Sequence, residues 1–220
     1  MLPSFLGDVP LVGLLRGVPP GLAAAAAAAC VRGGITAIEV TMDSEDPLRQ
    51  LAAIQARVPD VMVGVGTVLT LDDAQEAVAA GAAFVVSPHF DEVIVRYCID
   101  EELPVIPGAA TPTEILQAWR AGAAVVKVFP AGPLGVAYVR AVTDAIKRVA
   151  LMVTGGITET NLPSFLAAGA SAATIGSWLF SNEALASAEM ALIESNARRL
   201  VSVLKGSRQA LPDPSGVTTP

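Results

Sequence analysis

The sequence has few of the features that would place it in a membrane. Its longest apolar run, GLAAAAAAACV at 21–31, is mostly alanine, and it is well short of the roughly 20 apolar residues that span a bilayer. The opening segment, MLPSFLGDVP, has no basic stretch followed by an apolar one, which is the pattern of a secretory signal. We therefore expect a cytoplasmic protein with no membrane partner.

Basic residues, cysteine and histidine are also scarce. The 14 lysine and arginine residues are outnumbered by 21 aspartate and glutamate residues, and the net charge of −7 disfavours nucleic acid as a partner. Cys30 and Cys98 lack metal-ligand spacing, so we expect buried, reduced thiols. The only histidine, His89, falls in a loop, where a solvated side chain is the commoner arrangement. The sequence thus predicts neither a metal nor a cofactor.

Apolar residues and a regular repeat are what the chain does have. It is 53% hydrophobic over 220 residues, and β-branched apolar runs alternate with helical stretches eight times, at roughly 20 to 26 residues. Continuous apolar strands are typical of a parallel sheet buried on both faces, and eight units favour closure into a barrel. We predict an α/β fold, a (β/α)8 TIM barrel. The expected strands lie within 9–16, 36–42, 61–68, 83–88, 104–108, 124–130, 150–156 and 172–177.

The ends of the helices give the remaining boundaries. Glycines at 33, 81, 122 and 169 follow helical stretches, and we expect each to supply a left-handed helix cap. The last helix is expected near 183–204. One barrel domain then covers residues 1–205, and the Pro, Gly and Ser content of 206–220 predicts a flexible C-terminal tail.

The functional groups of such a barrel cluster at the carboxyl ends of its strands. Four polar residues lie at or near those ends: Arg16, Glu39, Thr67 and Lys127. The period of two along a strand puts Glu39 on one side with Ala37 and Thr41, and we assign that side to the barrel axis.

Lys127 interrupts the apolar stretch VVKVFPA. Removing an ammonium from water is costly, so a buried lysine tends to lose its proton. A neutral amine can attack a ketone to form an imine, and a nearby carboxylate such as Glu39 can then move protons during carbon–carbon cleavage. A structural Lys127–Glu39 ion pair explains the same two residues equally well.

Two glycine-bearing turns follow the last two strands. Gly155 and Gly156 lie in TGGI, and Gly176 and Ser177 lie in IGSWL. Barrels often hold a phosphate at these two loops, on backbone N–H groups. Simple turns are the alternative for each motif alone, but the pair favours a phosphate site.

Seven motifs together resemble one family. The strings IEVTM, GVGTV, SPHFDEVI, PVIPGAATPTEI, VKVFPA, VTGGI and IGSWLF look like the class I aldolases that cleave 2-keto-3-deoxy-6-phosphogluconate, with relatives that act on the phosphogalactonate epimer and on 4-hydroxy-2-oxoglutarate. The resemblance covers residues 9 to about 180. It implies a keto-acid substrate, a homotrimer and no metal.

The resemblance also implies roles for individual residues. Lys127 would form the Schiff base, Glu39 would act as general acid and base, and Thr67 would contact pyruvate. The catalytic set is then Lys127 and Glu39. The substrate-binding set is Arg16, Thr67, Pro130, Gly155, Gly156, Gly176 and Ser177.

One position departs from the gluconate-type pattern. Those enzymes carry a carboxylate-binding arginine two residues after the threonine of EVT, and this chain has Asp43 there. The phosphogalactonate branch instead has LRG after the first strand, which Leu15, Arg16 and Gly17 match. We therefore expect Arg16 to bind the substrate carboxylate with its planar fork. Another phosphate-binding barrel enzyme, or a barrel that binds a phospholigand without catalysis, remains the alternative.

Overall fold

A single parallel sheet, curved into a nearly closed barrel, forms the centre of the protein. The computed structural model describes residue 3 and residues 6–209. All strand pairs between neighbours in the sheet are parallel, which confirms the predicted (β/α)8-type barrel. The strands are β1 (Leu11–Leu15), β2 (Ala37–Thr41), β3 (Met62–Gly66), β4 (Val85–Val86), β5 (Val105–Ile106), β6 (Gly108–Ala109), β7 (Val125–Val128), β8 (Ala150–Thr154) and β9 (Ala172–Ile175).

The predicted strand at 104–108 is divided in two at Pro107. The sheet order is β5-β4-β3-β2-β1-β9-β8-β7-β6, so its two edge strands are consecutive in the chain. Proline has no N–H and cannot continue a ladder in both directions. Its carbonyl still accepts the Lys127 N–H at 2.8 Å. Pro107 therefore joins the two edges, and the barrel nearly closes there.

The helices lie between the strands, as the repeat predicts, but the last one is broken. Ser187 ends a short helix, and Ala188 has a left-handed φ of 51° before the chain becomes helical again. Residues 206–209, predicted as tail, belong to the final helix, and 210–220 lie outside the described residues. The helices are α1 (Pro20–Arg32), α2 (Pro47–Arg57), α3 (Leu71–Ala79), α4 (Glu92–Asp100), α5 (Pro112–Arg120), α6 (Ala131–Ala145), α7 (Leu162–Ala167), α8 (Asn182–Ala186) and α9 (Met190–Gln209).

One of the four predicted glycine caps is wrong. Gly33 has a right-handed φ of −78°, and the next residue, Gly34, has the left-handed φ of 97°. A Cβ on Gly33 would lie 2.4 Å from the Ala197 Cβ and 2.7 Å from the Glu194 carbonyl oxygen. Gly33 therefore lets α9 approach α1 closely, a contact between distant parts of the chain that no local pattern indicates.

The apolar residues form two layers, one outside and one inside the sheet. The outer layer lies between strands and helices, and it includes Cys30 and Cys98, which are buried and free as predicted. The inner layer fills the barrel and supports the functional groups above it. It consists of Leu6, Val12, Ala37, Phe84, Val86, Ile106, Val125, Met152 and Ala172.

The inner layer also fixes which side of each strand faces the barrel axis. Ala37 and Val125 are inner-layer residues, and Glu39 and Lys127 follow them by two positions on the same strands. Because side chains alternate along a strand, both polar groups face the interior. The predicted orientation of Glu39 is thus confirmed. Over the described part of the chain, no helix is both long and apolar enough to cross a membrane.

Gly64 on β3 lets the largest inner-layer side chain pack against the sheet. A Cβ on Gly64 would lie 2.5 Å from ring and carbonyl atoms of Phe84. We expect Gly64→Ala to lower the free energy of unfolding by about 1–3 kcal/mol or more, because the overpacked ring has no room to shift. Urea unfolding followed by circular dichroism would measure this loss.

Gly21 in α1 provides the matched control for the same substitution. It is exposed, and a Cβ there would meet nothing within 4 Å. Gly21→Ala should raise the free energy of unfolding by about 0.4–1 kcal/mol, since alanine loses less backbone entropy on folding. Equal stabilities for the two variants would contradict the tight packing at Gly64.

Candidate active site

A cavity of about 270 Å³ opens at the carboxyl ends of the strands. It lies above the apolar inner layer, and its walls come from loops after β1, β4, β7, β8 and β9. The volume suits a small organic acid, although it is slightly below the usual range for drug-sized ligands. The lining residues are Leu14, Arg16, Gly17, Pro88, Lys127, Phe129, Thr154, Gly155, Gly156, Ile157, Thr174, Gly176, Ser177, Phe180, Asn182 and Leu185.

Lys127 contributes an amine to the cavity wall. Its side chain is only 3% exposed, and its Nζ lies 5.3 Å from the centre of the Phe129 ring. Burial lowers the pKa of Lys127; the Glu39 carboxylate opposes this shift, and the Arg16 guanidinium adds to it. The amine therefore loses its proton more easily than an ordinary lysine.

Glu39 is fully buried on β2, beside the cavity wall. Neither of its carboxyl oxygens has a hydrogen-bond partner in the described part of the protein. Burial raises the pKa of Glu39, and the positive charges of Lys127 and Arg16 only partly offset this effect. A carboxyl group with a raised pKa holds its proton more readily than an ordinary glutamate, as a group that both accepts and returns a proton must.

Lys127 and Glu39 influence one another without a direct ion pair. Among the described residues, ion pairs within 4.0 Å join other partners, none of them Lys127 or Glu39. The pKa of each is nevertheless shifted by the charge of the other. The structural ion pair that the sequence left open is thus absent, and both groups remain available for chemistry.

Gly66 provides the space that the Glu39 carboxyl group occupies. A Cβ at Gly66 would lie 1.7 Å from Glu39 Oε1 and 2.3 Å from its carboxyl carbon. No side chain other than hydrogen is compatible with this contact. The sequence analysis did not identify Gly66, because its role depends on a residue of the neighbouring strand.

Arg16 reaches across the top of β2 to the loop after β3. Its Nη2 donates to the Thr67 Oγ1 at 2.9 Å, and its Nε lies 3.4 Å from the Asp43 Oδ2. Thr67 adopts a left-handed φ of 57°, which is uncommon outside glycine. Arg16 lines the cavity, whereas Thr67 does not.

The glycine turns after β8 and β9 form the part of the wall next to the loop after β1. Gly155 and Gly156 have left-handed φ values of 88° and 76°, and both line the cavity together with Gly176 and Ser177. The Asn161 Nδ2 donates to the Gly156 carbonyl at 2.8 Å and fixes the first turn. Backbone of this kind can approach an anionic ligand closely.

The remaining predicted residues lie at the edge of the site. Pro130 is exposed at the start of α6 and does not line the cavity. His89 is exposed, as expected, and its Nδ1 is 3.0 Å from the Ser87 Oγ. Pro88, rather than His89, contributes to the wall.

Three polar residues of the cavity were missed by the sequence analysis. The Thr154 Oγ1 is buried without a partner within the described chain, and the Thr174 Oγ1 donates to the Met152 sulfur at 3.1 Å. Asn182 comes from the start of α8. The period of two could have identified the threonines, which lie opposite one another on β8 and β9. Asn182 has no such signal.

No group of histidine, cysteine and acidic residues within residues 6–209 could hold a metal ion. The cavity wall offers an amine, a guanidinium, hydroxyls, an amide side chain and backbone groups, and the charge of the buried Glu39 carboxyl group acts on its lysine. An amine beside a proton-transfer group suits reactions that pass through an imine.

Comparisons with known proteins agree on one family. The family model "KDPG and KHG aldolase" matches residues 10–196. The 2-dehydro-3-deoxy-phosphogluconate aldolase of Treponema pallidum (strain Nichols) is 37% identical over 179 residues, 81% of this chain and 85% of that protein. The probable 2-dehydro-3-deoxy-6-phosphogalactonate aldolase of Rhizobium meliloti (strain 1021) is 34% identical over 175 residues, 78% and 82% of the two chains.

A solved structure is similar over nearly the whole fold. The KDPG aldolase from Legionella pneumophila, with pyruvate captured at low pH as a covalent carbinolamine intermediate, superposes with a TM-score of 0.83. It is 27% identical, and the match covers 90% of this chain and 96% of that one.

The electrostatics of the site predict opposite effects of two substitutions on Lys127. Glu39→Gln removes a charge that raises the Lys127 pKa, so its amine should become reactive at lower pH. Arg16→Ala removes a charge that lowers this pKa, so the amine should need higher pH. Acetic anhydride labelling of Lys127 against pH, quantified by mass spectrometry, would measure both midpoints. Arg57→Ala, at an exposed position on α2, is the control and should leave the midpoint unchanged. A shift of the midpoint in the same direction for all three variants would contradict the opposite effects of Glu39 and Arg16 on the Lys127 pKa.

Proposed function

Because the chain belongs to the KDPG and KHG aldolase family, we propose that it is a class I aldolase. The substrate is a 2-keto-3-deoxy-6-phospho sugar acid, and the products are pyruvate and glyceraldehyde 3-phosphate. The observation that carries this proposal is the buried Lys127 amine in a cavity with a buried, unpartnered carboxyl group beside it. The proposed substrate class includes the gluconate and galactonate epimers.

Lys127 begins the reaction as a neutral nucleophile. Its amine adds to the C2 ketone to give a carbinolamine, which loses water to form an iminium. The positive iminium withdraws electrons from the C3–C4 bond. The carbinolamine captured in the Legionella relative is the corresponding adduct with pyruvate, and it supports the same chemistry here.

Glu39 moves the protons that the cleavage requires. Its carboxylate accepts the proton of the C4 hydroxyl as the C3–C4 bond breaks, which releases the aldehyde and leaves an enamine on Lys127. The same carboxyl group can return that proton to C3. Water then hydrolyses the iminium, and pyruvate leaves the free amine. The raised pKa of Glu39 suits a group that alternates between these two states.

Different parts of the cavity wall bind the two ends of the substrate. Arg16 binds the carboxylate end near Lys127, and Thr67 supports it by accepting a hydrogen bond from its guanidinium. Any contact of Pro130 with the substrate is at the edge of the site, because Pro130 does not line the cavity. The turns containing Gly155, Gly156, Gly176 and Ser177 hold the phosphate. A guanidinium recognises a carboxylate in a planar, bidentate geometry, and glycine turns let backbone N–H groups surround a phosphate.

The nucleophile assignment predicts a specific covalent product. Incubation with pyruvate and borohydride should inactivate the protein and add one reduced pyruvate to the peptide that contains Lys127. Mass spectrometry of the digest would locate it. A label on another lysine, or no label, would refute the Schiff-base mechanism and favour another phosphate-binding barrel activity.

The Arg16 assignment predicts a loss of substrate affinity at the carboxylate end. Arg16→Ala should lower kcat/KM by roughly 10- to 150-fold, since a charge-assisted contact contributes about 1.5–3 kcal/mol. Arg16→Lys should recover only part of this, because an ammonium lacks the planar fork. The loss should be the same for phosphorylated and non-phosphorylated keto acids. A loss confined to phosphorylated substrates would instead assign Arg16 to the phosphate.

We also propose that the protein acts as a homotrimer in the cytoplasm. The large apolar side chains that remain exposed in the single chain support this proposal, because assembly would remove such surface from water. They are Met62, Leu69, Val93, Ile99 and Trp119. Light scattering at micromolar concentration should give three times the mass of the chain. A monomer under these conditions would overturn the assembly.

A further inference from the structure

The loop after β2 contacts Arg16 and its neighbour at two adjacent points. The Asp43 Oδ2 lies 3.4 Å from the Arg16 Nε, and the Ser44 Oγ accepts the Gly17 N–H at 3.2 Å. Ser44 is itself held by the Thr41 Oγ1 at 2.9 Å. One contact thus reaches the side chain of Arg16, and the other reaches the backbone just after it.

Burial does not fix the direction of Arg16. Its side chain is 51% exposed, and a free arginine side chain loses substantial rotamer entropy when it is held in one conformation. The backbone turns sharply directly after it, since Gly17 has a left-handed φ of 62°. The orientation of the guanidinium therefore depends on contacts from neighbouring loops.

The contacts leave a defined part of the guanidinium free. Asp43 faces Nε, and Thr67 accepts from Nη2. A guanidinium has five N–H donors, so Nη1 and the second N–H of Nη2 remain for a ligand in the cavity that Arg16 lines.

We propose that Asp43 and Ser44, here called the Arg16 bracket, are positioning residues that hold Arg16 in the orientation that binds the substrate carboxylate. This inference rests on the proposed function of Arg16. In this chain, Asp43 stands at the position where the gluconate-type pattern has an arginine. Under the proposal, Asp43 in the loop after β2 does not bind the substrate itself but orients Arg16, which comes from the loop after β1. The opposite possibility is that Asp43 competes with the substrate carboxylate for the guanidinium.

The two possibilities predict opposite effects on pyruvate affinity. We would measure the rate of Lys127 labelling by pyruvate and cyanoborohydride as a function of pyruvate concentration. Asp43→Ala and Ser44→Ala should each raise the half-saturating concentration roughly 3- to 10-fold at an unchanged maximal rate. Ser44→Thr should recover most of the loss, because it keeps the oxygen acceptor, whereas Asp43→Asn should recover only part, because it keeps an oxygen but not the charge. Glu45→Gln, at an exposed position in the same loop, is the matched control.

Two further measurements separate positioning from a general effect on the loop. In an Arg16→Ala background, Ser44→Ala and Asp43→Ala should produce no additional loss. Labelling with hydroxyacetone, a ketone without a carboxylate, should be unaffected by either substitution. Three results would each overturn this role of the Arg16 bracket. The first is a lower half-saturating pyruvate concentration for Asp43→Ala. The others are an equally large increase in that concentration when Arg16 is absent, and an equally large increase with hydroxyacetone. Failure of wild-type protein to react with pyruvate would instead refute the proposed function.

Discussion

The site depends on the removal of one lysine amine from water. An ammonium at the Lys127 position faces the interior of a barrel whose lower part is filled by apolar side chains, so the charged form is disfavoured and the pKa falls. The absence of a contact ion pair with Glu39 among the described residues matters equally. A carboxylate in direct contact would hold the proton on the amine, whereas the separated arrangement keeps both groups in reactive states.

Along β2 and β7, the residues that pack the barrel interior and the polar residues of the site occupy successive inward-facing positions. Ala37 and Val125 belong to the apolar inner layer, and Glu39 and Lys127 lie one pleat further toward the carboxyl ends. A buried acid and a buried base are costly, and the packed layer beneath offsets that cost. Gly66 on β3 leaves the space that the Glu39 carboxyl group occupies.

Much of this arrangement follows from the sequence. The repeat of apolar runs predicted the barrel, and the period of two predicted that Glu39 faces its axis. The predictions that were wrong concern positions where a local sequence rule is compatible with more than one tertiary arrangement. Pro107 breaks a ladder in any strand, but the pairing of β5 with β4 and of β6 with β7 depends on both neighbours. A glycine after α1 was expected to be left-handed, and Gly34 rather than Gly33 takes that role because the right-handed backbone continues through Gly33, which packs against α9.

The sequence by itself determined most of the strands, the side that Glu39 faces, and the unusual chemistry of a lysine within an apolar run. These properties depend on residues close together in the chain. Only the tertiary structure decided that Gly66 faces Glu39, that Thr154 and Thr174 meet in the cavity, and that Asp43 contacts Arg16. Each of these pairs joins different strands or loops, and the distance between their atoms is set by the closure of the whole barrel.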